Sequence, residues 1–86
     1  MIGIFLGASE KGYTEIVRLL LENGEDIHAF GDLSLHLASH NGQRETVRLL
    51  LENGADANSC GDLALGYANE KGHTEVVELL QKHMRE

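Results

Sequence analysis

A segment of twelve residues occurs twice, thirty residues apart: Glu15 to Asp26 reads EIVRLLLENGED and Glu45 to Asp56 reads ETVRLLLENGAD. A third, more diverged copy starts at Glu75 as EVVELLQKHM. A period of this length marks one supersecondary unit, which cannot bury its apolar face alone and does so by stacking on its neighbours. The expected fold is therefore an all-α solenoid. Its three units cover residues 1–30, 31–60 and 61–86, taken together as one domain spanning 1–86.

The two halves of each unit read as helices. Ile16, Val17, Leu20 and Leu21 fall at helical spacing, with Glu15, Arg18 and Glu22 on the opposite side. Asn23-Gly24 and Asn53-Gly54 would be strong hairpin signals between alternating apolar residues, but these helical flanks make the glycines left-handed helix stops. The charged residues three and four apart read as a solvated face. Glu15, Glu45 and Glu75 stand in the first turn of the second helix, where the helix dipole favours an anion. The first helix is expected to run from Leu33 to Asn41 in the middle unit, to stop at Gly12, Gly42 or Gly72, and to have its opening N–H groups capped by Asp32 or Asp62.

The opening MIGIFLGA is apolar, but it lacks a basic leader and is too short for a bilayer span, which takes about 20 apolar residues. It aligns with GDLSLHLA and GDLALGYA as the first helix of the first unit. A net charge of -7 disfavours nucleic acid and anionic membranes and favours a basic partner. Cys60, the single cysteine, cannot form an internal disulfide, which agrees with a reducing, intracellular and cytoplasmic setting.

Leu35-His36-Leu37-Ala38, Gly72-His73-Thr74-Glu75-Val76-Val77 and Asn53-Gly54-Ala55-Asp56-Ala57-Asn58 together resemble the ankyrin repeat. The recurrence of several motifs in register makes this far more specific than one pattern. The family's usual repeat has about 33 residues. The three missing here fall between Ala29 and Gly31 and between Ser59 and Gly61, so the resemblance implies shortened finger turns.

It also implies a protein-binding scaffold rather than an enzyme, with no cofactor. Partner contacts are then expected from the variable positions Glu10, Lys11, His40, Asn41, Glu70 and Lys71 on the concave face, and from Phe30 and Cys60 in the turns. His36 and His73 match structural histidines of the family pattern. Although His36 and His40 are four apart, no third metal ligand is evident, so no metal site is expected. Gly7 to Gly12 has the glycine spacing of a phosphate loop but lacks its lysine.

The two ends of the array differ. Gln81 stands where Leu21 and Leu51 stand, and the tail QKHMRE is polar, as an uncovered end requires. Ile2 stands where Asp32 and Asp62 stand, Ile4 where Ser34 and Ala64 stand, and Leu6 where His36 and Gly66 stand. This first helix is not a polar cap, so it marks either a missing preceding repeat of a longer array or a contact with another chain, and a homodimer through Ile2, Ile4 and Leu6 is one expectation. The alternative is that these side chains fold back onto Phe5 and the second helix.

Overall fold

In the computed structural model, which describes residues 2–84, the chain forms six helices. They are α1 (Ile2–Lys11), α2 (Thr14–Glu22), α3 (Ala29–His40), α4 (Arg44–Glu52), α5 (Ser59–Lys71) and α6 (Thr74–His83). Met1 and the last two residues of the polar tail, Arg85 and Glu86, lie outside the described residues. The helices pair as α1 with α2, α3 with α4 and α5 with α6. The pairs stack so that α1, α3 and α5 form one layer and α2, α4 and α6 the other.

Each unit closes its first helix with the same device. Gly12, Gly42 and Gly72 take positive φ, and the next residue's N–H returns to a carbonyl five residues back. Tyr13 donates to Ala8, Gln43 to Ala38 and His73 to Ala68, all at 2.9 Å. This left-handed stop reverses the chain within two or three residues, so the two helices of a unit lie side by side. The second helix ends on asparagine: the side chain of Asn23 caps the Leu19 carbonyl and that of Asn53 caps Leu49, before left-handed Gly24 and Gly54.

The core runs between the two layers. Phe5, Val17, Leu35, Val47, Leu50, Val76 and Leu80 are buried, contributed by all six helices except α5, which supplies Ala64 and Ala68. Alanine and serine at the contacts between first helices let those helices approach closely.

The finger turns are short, as expected, and take a left-handed geometry that the sequence did not announce. The right-handed helix starts at Leu33 as expected, and ahead of it, within α3, lies a left-handed turn over Phe30, Gly31 and Asp32. Cys60, Gly61 and Asp62 repeat this turn in α5. Four of these six residues are not glycine, and each such residue in left-handed geometry costs about 1 to 2 kcal/mol.

The aspartates hold the turns rather than capping the helix. Asp32 is buried; its Oδ1 accepts from His28 Nδ1 at 2.6 Å and its Oδ2 from the Asp56 N–H at 3.2 Å. Asp62 Oδ1 accepts from the Asn58 amide at 2.9 Å. Residing inside the left-handed turn, each carboxylate points back at residue i−4. Asp32 also bridges two units, which the capping expectation did not include.

Candidate functional site

The layer of first helices presents the surface on which the sequence places its contact residues. Consecutive units are tied there by one repeated bond. Gln43 Nε2 donates to the Glu10 carbonyl at 3.1 Å, and thirty residues on His73 Nε2 meets the His40 carbonyl at 3.0 Å. With a carbonyl as its partner, Nε2 of His73 is the protonated nitrogen. The bond anchors the C-terminal end of each first helix to the unit that follows. It leaves no room beside the helix stop: a Cβ at Gly42 would lie 2.6 Å from the His73 ring.

Of the residues expected at this face, Glu10, Lys11, Asn41, Glu70 and Lys71 are exposed and His40 is half-buried. The His40 ring stands edge-on to Tyr67, with centroids 5.1 Å apart and planes at 89°. Glu10, His40 and Asn41 come together around a concavity of about 310 Å³ whose walls are Leu33, Leu37, Leu63 and Tyr67. Lys11, Glu70 and Lys71 do not line it. Phe30 and Cys60 are exposed at the finger turns, where Ser59 Oγ donates to the Gly31 carbonyl at 2.8 Å and seats the second finger on the first.

The apolar walls were not in the expected contact set. Their signal lay in Leu33 and Leu37, four apart on one helical face, and in Leu63 and Tyr67, which repeat them thirty residues on. At the base of the groove His36 is buried, and desolvation lowers its pKa below the ordinary 6.5. The Ser59 backbone and the Asp32 carboxylate offset part of that effect. His36 is therefore neutral near pH 7, and Glu10 is the charged side chain lining the groove. No group of three His, Cys, Asp or Glu side chains stands together among the described residues.

A second surface lies at the outer end of the first unit. Of the three residues the sequence marked there, Ile2 and Leu6 pack against the core, and Ile4 is 58% exposed. Ile2 and Leu6 thus follow the inward alternative. Ile4 is accompanied instead by Tyr13 at 53%, Ile16 at 44% and Leu19 at 55% exposure. At the same register positions in the middle unit, Ser34 and Thr46 are fully buried and Leu49 is 5% exposed, because the first unit covers them. Helical periodicity identified Ile16 as an apolar-face residue, did not single out Leu19, and carried no information on whether a neighbour covers that face.

No helix among the described residues is long and apolar enough to cross a membrane. The family model for ankyrin repeats, in three copies, matches residues 5–86. The chain has no match among curated proteins.

Proposed function

The chain belongs to the ankyrin repeat family, and on that premise we propose that it is a non-catalytic, intracellular module, acting as one domain, that holds a protein partner along the face formed by α1, α3 and α5. Ankyrin repeats are generally protein–protein interaction modules. The observation that carries the reading is the groove itself: Leu33, Leu37, Leu63 and Tyr67 offer apolar walls, with Glu10 and Asn41 at the rim. Such a surface suits a side chain with an apolar stem and a cationic or donor tip. The net charge of -7 makes a basic protein segment the fitting partner and works against nucleic acid.

The test starts with a partner recovered under native salt and then measured by titration calorimetry. Glu10→Lys with Glu70→Lys is expected to weaken affinity at least about tenfold, with a loss that shrinks as salt screens the charges. Tyr67→Ala is expected to weaken it at every salt concentration. Unchanged affinity in both variants would move the contact to Phe30 and Cys60.

Self-association through the first unit is a second reading. Its support is the exposed apolar group around Ile4, in a position that is covered in the other two units.

A further inference from the structure

We propose that two copies of the chain pair about a two-fold axis through the outer end of the first unit, α2 against α2, with Ile4, Tyr13, Ile16 and Leu19 in the contact. This rests on the self-association reading and defines its surface and symmetry. The first support is internal: the corresponding end of the middle and third units is covered by the preceding unit, leaving Ser34, Thr46, Ala64 and Val76 at most 1% exposed. The same solenoid therefore shows what this end does when a partner is available.

Side-chain size decides what kind of partner fits. Ser34 and Ala64 are small and fully buried where α3 meets α1 and α5 meets α3. Ile4 occupies that register in α1 with a branched four-carbon side chain. A further unit stacked in the regular register would be held away by Ile4, since close-packed interiors do not absorb added methylene groups without strain. The face is apolar like an interior one but shaped differently.

The opposite end of the array does not complement it. There Asn69 and Gln81 are exposed, where the middle unit has buried Ser39 and Leu51. A head-to-tail stack would press amide groups onto isoleucine and leave their hydrogen bonds unmet. The outer end of the first unit is its own best complement, and an isologous contact closes at two copies. With α2 antiparallel to the partner's α2, Ile16 of one copy faces Leu19 of the other. The polar edge of α2 carries both signs, as Arg18 pairs with Glu15 at 3.5 Å, so two acidic chains do not meet through one sign of charge.

A standard interface covers about 800 Å² per partner. That is roughly a sixth of this chain's 4833 Å², more than four partly exposed side chains provide. The dimer is expected to be weak, with a dissociation constant on the order of 100 μM. Salt is expected to strengthen it by screening repulsion between two chains of charge -7. Salt has the opposite effect on a basic partner held beside Glu10.

The experiment is sedimentation equilibrium of the 86-residue chain from about 1 to about 500 μM, at low and moderate salt. The expected result is a mass rising from 9.4 kDa towards twice that value, sooner in salt. Ile16→Glu with Leu19→Glu is expected to raise the dissociation constant at least about tenfold, and Ile4→Ser to raise it less. Unfolding midpoints at the lowest concentration, where every variant is monomeric, are expected to stay near that of the native chain. Should the native chain associate while the double variant associates equally well, this surface is wrong but self-association stands. A native chain monomeric throughout overturns both. Growth beyond two copies, or association weakened by salt, overturns the closed apolar contact.

Discussion

α2 and α4 have nearly the same sequence and opposite circumstances. Val47, Leu49, Leu50 and Leu51 of α4 are buried, whereas of the corresponding residues in α2 only Val17 is buried and Leu19 stands in solvent. The difference comes from the neighbours: α4 lies between α2 and α6, and α2 has a neighbour on one side. A leucine in this array therefore draws its energetic weight from the contact between units more than from its own helix, as expected when stability is a sum of unit and interface terms.

The sharpest way to break this comparison is to make one substitution in both helices. Leu49→Ala is expected to destabilise by about 2 to 5 kcal/mol, the range for a buried leucine. Leu19→Ala, at the same register but 55% exposed, is expected to cost under about 1 kcal/mol at monomer concentrations. Urea unfolding measures both. Equal losses would mean that the covering of α4 by the first unit contributes nothing.

The next pair applies the comparison to the other end. Gly42 and Gly72 both stop a first helix at positive φ, so alanine at either carries a backbone cost of about 1 to 2 kcal/mol. At Gly42 the added methyl also meets the His73 ring, while at Gly72 it meets nothing within 4 Å. Gly42→Ala is therefore expected to exceed Gly72→Ala by about 1 to 3 kcal/mol. Equal thermal shifts would show that the His73 ring moves aside freely.

A smaller effect of opposite sign is expected from Ser34→Ala. Ser34 Oγ is buried without a hydrogen-bond partner, and alanine already occupies the matching position 64, also fully buried. Removing the hydroxyl is expected to stabilise by about 1 kcal/mol, seen as a higher urea midpoint.

The least effect is a pH slope belonging to the middle unit alone, since Leu6 and Gly66 replace His36 in the others. Burial holds the folded pKa of His36 below 6.5, so the unfolded chain takes up this proton first. The contribution to stability is full above pH 6.5, is lost as pH falls through the folded pKa, and is level below it. Urea midpoints from about pH 7.5 to about pH 5 are expected to fall more steeply for the native chain than for His36→Gln.

What the sequence disclosed and what it withheld divide along the same line. Helix phase was legible from Ile16, Val17, Leu20 and Leu21, and helix ends from Gly12, Gly24 and their repeats, because both are set within a few residues. Stacking was legible from the period. The left-handed turns were not, since Phe30, Asp32, Cys60 and Asp62 have no intrinsic preference strong enough to announce positive φ. What holds Asp32 there includes the N–H of Asp56 at the far end of the same unit, a contact between residues 24 apart in the chain. The groove was half legible: Glu10, His40 and Asn41 were expected there, but Leu33 and Tyr67 were not, because apolar character alone does not distinguish a groove wall from an interior. Exposure of Leu19 and burial of Leu49 were beyond the sequence for the reason with which the comparison began.

The short fingers bear on how such units behave when crowded. Each finger is a single left-handed turn tied back into the chain: the N–H of Asp32 donates to the His28 carbonyl, the N–H of Asp62 to the Asn58 carbonyl, and the Gly31 carbonyl accepts from Ser59. An extended hairpin at this position would offer an unpaired strand edge, which is a template for adding further chains edge to edge. Among the described residues there is no strand, and so no such edge. The shortened finger thus leaves no strand edge there for another chain to extend, and the apolar surface left to cover lies at the outer end of the first unit.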